Sequence, residues 1–539
     1  MKDRKRSLVA GICVLVALII CLTLTIEARE EDEKQSTDSK KRADLITIDV
    51  LESFGALERP DVPFFHDLHT DALQKDNKDC SSCHLVEDRQ TGRLSLSFKR
   101  LEDTDRDGLM DLYHAECIGC HKETTSTGQT AGPIEVCGEC HTNRIIASSW
   151  TPIDFDKSLH FRHTEANKDP VTGKGDCGAC HHEYDEESKK LFYALGKEGS
   201  CGYCHKAETE EKRISISMAS HLSCINCHKK KQSQKIQAGP VKCGGCHNPV
   251  EQKTIKTVEN TPRLERKQPD LALIKVVPIA GEQEKDIGIN PVPFDHKSHE
   301  KYNDSCIECH HASLDSCAKQ CHTSKGSEEG NYVKIEKAMH QKDSRKSCLG
   351  CHNIMQQKQE CAGCHSSMKV DSSDPSYCQK CHLKAEQDIS VPQGDEEEKI
   401  IAEKLLNSRK KITKTYADVD IPEKVTIKTL ADLYEPVELE HRKIIHTLLN
   451  KIKDNNLAMY FHSDEGFICQ GCHHNSPSDK KPPKCGSCHG RPFDEGDIHR
   501  PGLKGAFHQQ CIGCHDVMNI EKPKATECAG CHKEKTKID

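Results

Sequence analysis

One five-residue device recurs through this chain: two cysteines, a short spacer between them, and a histidine directly after the second. It occurs at Cys80, Cys83 and His84; at Cys117, Cys120 and His121; at Cys137, Cys140 and His141; and at Cys177, Cys180 and His181. It continues at Cys201, Cys204 and His205; Cys224, Cys227 and His228; Cys243, Cys246 and His247; and Cys306, Cys309 and His310. A form one residue longer stands at Cys317, Cys321 and His322. Then follow Cys348, Cys351 and His352; Cys361, Cys364 and His365; Cys378, Cys381 and His382; and Cys469, Cys472 and His473. The last three are Cys485, Cys488 and His489; Cys511, Cys514 and His515; and Cys528, Cys531 and His532. These sixteen copies consume all but two of the 34 cysteines.

A single Cys-x-x-Cys-His fits a zinc knuckle, a redox dithiol or a disulfide pair as well as a haem. Sixteen copies do not. No thiol remains for a disulfide framework, since Cys13 and Cys21 lie in the apolar N-terminal segment. Zinc sites do not need a histidine after every pair. The pattern is the attachment signature of c-type haem: the thiols add across the vinyl groups and the next residue places an imidazole on the iron.

Composition agrees with a porphyrin core. Hydrophobic residues make up 35% and aromatics 4% of 539 residues, too few for an ordinary core of that size. Haems would supply the missing apolar mass, so the chain is expected to be mostly loop with short helices and few strands, wrapped around them. Ligation free energy then becomes folding free energy, and the haem-free chain should not fold. The net charge of −8 falls to −10 without residues 1–28, which carry four basic and two acidic groups. Nucleic acid is therefore not an expected partner.

The N-terminus fits the same chemistry. Lys2, Arg4, Lys5 and Arg6 precede an apolar run from Leu8 to Ile26, and Ala28 could end a cleavage site. This is a secretory signal pattern, and c-type haems are attached outside the cytoplasm. The expected location is the periplasm or an extracytoplasmic surface. The run is long and Ile26 suits a cleavage site poorly, so an uncleaved anchor over residues 8–26 stays open.

Histidine supply is the second constraint. Of 33 histidines, sixteen close motifs. The remainder are His66, His69, His114, His160, His163, His182, His221, His296, His299, His311, His340, His441, His446, His462, His474, His499 and His508. Each low-spin iron needs a sixth ligand, and the supply suits two imidazoles per iron. Methionine, which would raise the potential, is scarce at 8 residues.

The spare histidines expose a repeat. Residues 160–247 run His160-x-x-His163, a motif followed by His182, a second motif, His221, then two motifs. Residues 296–365 run His296-x-x-His299, a motif followed by His311, a second motif, His340, then two motifs. The first repeat has His66-x-x-His69 and His114 but lacks the second motif, and Leu85 stands where the doubled histidine would. One motif and one histidine vanish together. The doubled histidine therefore belongs to the second iron of each repeat: His182 to that of His205, His311 to that of His322, and His474 to that of His489.

With these motifs in place, residues 60–539 resemble the sixteen-haem, high-molecular-weight cytochrome c of sulfate-reducing bacteria. That family strings together class III cytochrome units, one with three haems, the others with four, plus an extra haem. The resemblance implies that the His-x-x-His pair serves the first and third haems, and the histidine before the third motif serves the fourth. His66, His69 and His114 would then face His84, His121 and His141. His160, His163 and His221 would face His181, His228 and His247. His296, His299 and His340 would face His310, His352 and His365, with the haem of His382 as the extra one.

The fourth unit departs from the pattern. "PVELEH" (436–441) parallels "PVPFDH" (291–296), so His441 matches His296, but Ile444 stands where His299 would. His446 and His462 are candidates for that unit's third haem and for the extra haem. His508 should serve the haem of His532, and His499 has no clear role. An incomplete coordination shell is expected at His382 or in this unit.

The units read as residues 46–150, 151–250, 291–385 and 436–539. A linker spans 251–290, and a charged linker at 386–435 carries an amphipathic helix near 397–411. "DTDRDG" (103–108) resembles a calcium loop through Asp103, Asp105 and Asp107, although its twelfth position is His114 rather than Glu.

The expected function is electron transfer rather than catalysis. The resemblance implies partners such as periplasmic hydrogenase, formate dehydrogenase or a small class III cytochrome, and a membrane redox complex. The alternatives are a multihaem enzyme with one open iron and an extracellular conduit. Enzymes of that kind often carry an altered Cys-x-x-Cys-Lys motif, and none occurs here. The mature protein should exceed its polypeptide mass by sixteen haems. A mass short by one haem, with free thiols at Cys317 and Cys321, would remove the long-spaced motif from the set.

Overall fold

The computed structural model describes residues 42–535 apart from short stretches, the longest being 277–288, 369–374, 384–391, 409–415 and 492–499. The N-terminal apolar segment lies outside them. Among the described residues no helix is long and apolar enough to cross a membrane. Two compact bodies form, Met1–Pro262 and Arg263–Asp539.

The repeats draw on the same few pieces, although among the described residues the second has no strand pair before its His-pair helix. In the first, β1 (Leu45–Ile48) and β2 (Val62–Phe65) pair antiparallel, with Leu45 opposite Phe65. The second strand runs directly into α1 (His66–Lys75), so the His pair opens a helix. A hairpin of β3 (His84–Asp88) and β4 (Arg93–Phe98) follows. Then α2 (Arg106–Ser126) carries His114 and the whole Cys117–His121 motif. Three-residue spacing puts His114 and Cys117 on one face of that helix.

The second repeat has α3 (Lys157–Ala166), started by the Asp156 side chain accepting from the Leu159 amide at 2.7 Å. A short hairpin of β5 (Glu183–Asp185) and β6 (Lys190–Phe192) follows. Next come α4 (Ile216–Ser233), which carries His221 and Cys224–His228, and α5 (Cys243–His247). In the second body, β7 (Leu271–Ile274) pairs with β8 (Val292–Asp295), which leads into α6 (His296–Tyr302). The long motif helix is interrupted here: α7 (Ile335–His340) ends before α8 (Cys348–Gln356) begins, and α9 (Gln359–His365) follows.

The amphipathic pattern near 397–411 forms α10 (Asp395–Ser408). Its apolar face buries Ala402 and Leu405 against Leu273 of β7. The fourth repeat repeats the ribbon with β9 (Val425–Ile427) and β10 (Val437–Leu439), then α11 (His441–Ile452) and α12 (Asn456–Phe461). Then α13 (Leu503–Val517) holds His508 and Cys511–His515, and a 3-10 turn at Cys528–Gly530 opens the last motif.

The polypeptide has little core of its own. Among the described residues, fourteen apolar side chains are buried, and no large side chain is completely so. The two apolar clusters have three buried residues each: Leu273, Ala402 and Leu405, and Ile421, Ile445 and Ile468. A buried core residue normally touches 6–12 others, so these clusters staple segments rather than hold up a domain. Leu405→Ala should therefore cost about 2–3 kcal/mol locally. Hydrogen exchange should show faster opening of β7 and α10 while motif helices far from them keep their protection.

Candidate haem-binding centres

The motif backbone is pre-shaped. In Cys177–His181, Cys306–His310, Cys378–His382 and Cys528–His532 the histidine amide bonds to the first cysteine's carbonyl at 2.9 Å. This single turn brings both thiols and the ring to one side. The long-spaced motif keeps the arrangement by widening the turn: Cys317–Cys321 is a π-helical turn, and the His322 amide reaches the Cys317 carbonyl at 2.6 Å. An extra residue in a helical turn is what a π-bulge accommodates.

Most rings are oriented by a carbonyl. Nδ1 of His121, His228 and His515 lies 3.1, 2.9 and 3.0 Å from the carbonyls of Pro133, Pro240 and Pro523. His141, His205, His247, His322, His382, His473 and His489 have carbonyl partners at 2.7–2.9 Å. Among the spare histidines, His69, His163, His296, His299 and His340 do likewise at 2.7–3.0 Å. A carbonyl can only accept, so Nδ1 carries the proton and Nε2 keeps a free lone pair. That is the tautomer in which a metal-ligating imidazole is held.

The rings then meet in pairs. His66 faces His84, His69 faces His121, and His114 faces His141, with centroids 6.1–6.2 Å apart. His160 faces His181, His163 His228, His182 His205, and His221 His247 at 6.0–6.3 Å. In the second body His296 faces His310, His299 His352, and His311 His322 at 6.0–6.4 Å. His474 faces His489 and His508 faces His532 at 5.9 and 6.0 Å. His441 stands within electrostatic reach of His473.

Two pairings differ from the expectation. His340 faces His382 at 6.0 Å, not His365. His365 is met instead by His462 at 5.9 Å, from the fourth repeat. The extra motif is thus Cys361–His365, and Cys378–His382 closes the third repeat. The sequence contains a signal for this. Pro133, Pro240 and Pro523 precede the last motif of the other repeats by three to five residues; Pro375 stands before Cys378 in the same way, and no proline precedes Cys361. His446, the other candidate, is exposed, and its Nε2 lies 3.0 Å from Asp418. His515 has no ring partner among the described residues, and His499 lies outside them.

Every pair joins a motif histidine to a spare one. Across the fourteen pairs the separation stays within 5.9–6.4 Å while the interplanar angle ranges from 9° to 86°. Ring stacking would tie distance to angle. A shared central atom fixes the distance and leaves rotation free. Two metal–nitrogen bonds of about 2 Å, plus about 1.1 Å from each nitrogen to its ring centre, give about 6 Å. The residues present therefore fit a haem iron between each pair.

Electrostatics point the same way. Burial pushes the thiols of Cys243, Cys348 and Cys472 up to about 12, so none of them is poised as a free thiolate nucleophile. Among the described residues no cysteine forms a disulfide. Burial holds the imidazoles of His69 and His299 below their ordinary range, and that of His462 down to about 4. Neutral rings are the ligating form. Phenylalanines back several spare rings: Phe64 on His69 and Phe294 on His299 at 4.2 Å, Phe155 on His163 at 5.0 Å, and Phe467 on His462 at 4.7 Å. Counting histidines could not reveal these, although Phe64 and Phe294 each stand two residues before a His pair.

The geometry gives calcium no support. Asp105 caps α2 through the Gly108 amide at 2.7 Å, and Asp103 is engaged by Arg100. The helix begins inside the expected loop at Arg106 and takes Asp107 into its first turn.

Comparisons with known proteins converge. The class III cytochrome c family matches four times, over residues 45–141, 147–247, 274–382 and 436–532. The third match ends on His382. The high-molecular-weight cytochrome c of Nitratidesulfovibrio vulgaris is 46% identical over 511 residues, covering 92% of this chain and 93% of the relative. The crystal structure of the sixteen-haem cytochrome of Desulfovibrio gigas matches with a TM-score of 0.81 and 39% identity, over 92% of this chain and all of that one. The high-molecular-weight cytochrome c of Desulfovibrio vulgaris (Miyazaki F) matches with a TM-score of 0.76 and 44% identity, over 92% and 98%. Four tandem units, covalent haem and electron transfer rather than catalysis follow from this agreement: the chain belongs to the class III cytochrome c family.

Proposed function

We propose that the chain binds sixteen haems c and relays low-potential electrons in the periplasm or at the extracytoplasmic surface. Its donors would be a hydrogenase, a formate dehydrogenase or a small class III cytochrome, and its acceptor a membrane redox complex. The observation that carries this reading is the set of imidazole pairs near 6 Å. An iron held between two imidazoles has no position for substrate, and neutral histidine on both sides favours low potential. Bound haem supplies the one-electron chemistry. The chain anchors each porphyrin through thioethers, sets the rings' tautomer through backbone carbonyls, and holds neighbouring irons close on shared elements.

The motif histidines are the proximal ligands in this scheme. The distal ligands are His66, His69, His114, His160, His163, His182, His221, His296, His299, His311, His340, His441, His462, His474 and His508. Among the described residues no ring faces His515, and its iron is where this scheme places the open coordination position. Secretion through residues 1–28 completes the proposal.

A haem-loaded crystal structure should place His340 Nε2 on the iron of His382 and His462 Nε2 on that of His365. The converse arrangement would refute the exchange. His311→Ala should add one high-spin haem to the oxidised spectrum and leave attachment at Cys306 and Cys309 intact. An unchanged spin count would disprove ligand sharing between adjacent motifs.

The functional test uses the intact protein. Catalytic hydrogenase plus a small class III cytochrome should reduce it rapidly. The oxidised state should be low-spin except for at most one iron, and nitrite and hydroxylamine should not turn over. Sustained reduction of either substrate, abolished when the one high-spin iron is blocked, would make the protein an enzyme.

A further inference from the structure

Between the first two repeats stands a charged group that the ligation scheme does not use. Asp67, the second residue of α1, is largely buried, with its side chain 13% exposed. Its carboxylate accepts from the amides of Cys243 and Gly244 at 2.9 and 2.7 Å. Its Oδ1 lies 3.6 Å from Nδ1 of His66. The ligand atoms of His66, Asp67 and Cys243 all lie within 4.8 Å of one another. His66 is also within electrostatic reach of His221. His66 is paired with His84, and His221 with His247. One carboxylate thus touches the distal ring of the first iron and the attachment peptide of the seventh. This trio is not a separate cation site, because His66 and Cys243 are committed to haem.

The placement is built. The Asp44 side chain accepts from the amides of Asp67 and Leu68 at 2.9 and 3.4 Å. Arg42 grips Asp44 through two hydrogen bonds of 2.7 and 2.9 Å. On the other side, a Cβ on Gly244 would stand 3.0 Å from Asp67 Oδ2, so glycine admits the carboxylate. One turn along α1, Asp71 pairs with Lys242. Two amide donors favour the ionised carboxylate, and a desolvated negative charge stabilises ferric over ferrous iron.

We propose that Asp67 is a positioning residue for electron crossing between the first and second repeats, holding the haem of His84 beside that of His247 and biasing both toward the ferric state. The proposal rests on the electron-carrier reading above. A crossing oxidises one ferrous iron and reduces its ferric neighbour by one electron, with no bond made or broken.

The test is a potentiometric titration of the full-length, haem-loaded protein, followed by haem absorbance, with spin state measured in parallel. Asp67→Asn keeps the shape and removes the charge. Two haem equivalents should move to higher potential while every iron keeps its spin state. Asp71→Asn, on the same helix but bonded to Lys242 rather than to motif amides, should move neither. Gly244→Ala pushes the carboxylate off its amide with the charge retained, and should displace the haem of His247 in the same direction. In Asp67→Asn, an unchanged curve, displacement of one haem only or a new high-spin iron would each overturn the proposal, as would an equal effect from Asp71→Asn. These readouts are independent of which partner donates electrons, so failure of the relay scheme would leave them intact.

Discussion

The pairing of a spare imidazole with a motif imidazole is the interaction on which the rest of this structure depends. In the proposed scheme each pair would hold one iron, and each motif would hold the same porphyrin through two thioethers. Such a pair would work as a cross-link as well as a redox centre, and its ligation energy would be folding energy. The links range from local to long. His182 and His205 close a short loop, whereas His365 and His462 join segments about a hundred residues apart. This explains how a chain with so few buried apolar residues holds a defined path. Its small apolar clusters add local staples, as at α10 on β7.

Much of this was legible because the constraint is chemical and repeated. The motif fixes attachment, and the loss of one motif together with one doubled histidine in the first repeat assigns the doubled histidines elsewhere. The structure brings His182, His311 and His474 to the rings expected for them. The exchange between His340 and His462 was not legible from order alone. An inserted motif can be read as the fourth or the fifth, and histidine order does not distinguish them. The interruption between α7 and α8 hides the register further, since His340 stands eight residues before Cys348 instead of three. The proline before each closing motif would have resolved it. Its carbonyl is the one that fixes the preceding motif's ring at His121, His228 and His515, so the signal has a physical cause.

The missing haem of the first repeat shows the same economy from the other side. Both of the first two repeats place a hairpin after their first motif. In the second repeat β6 is exposed along its length, and a further motif follows. In the first repeat β4 is longer and buries Leu94 and Ser95. It packs against α4 of the second repeat, where the Leu94 amide reaches Asn226 Oδ1 at 3.4 Å. Polypeptide takes over the joint where porphyrin is absent. The element chosen abuts α4, a helix that carries ligands itself.

That choice reflects how the chain spaces its irons. α1 opens with His66 and His69, whose rings meet those of His84 and His121. α2 carries His114 and His121, whose partners are His141 and His69. α4 and α13 carry the equivalent pairs of histidines. Helices α1, α2, α4 and α13 therefore each carry two haem-site histidines at a separation set by three to seven helical residues, about 5–10 Å along the axis. No folded core is needed to maintain that spacing, because the helix backbone is the ruler. An electron carrier requires closely spaced irons, and the same few residues would both set that spacing and fill the axial positions of every iron except that of His515. Enlarging such a protein then means adding another ribbon, histidine pair and motif helix. It does not mean building a larger core, and the four unequal repeats of this chain record that mode of growth.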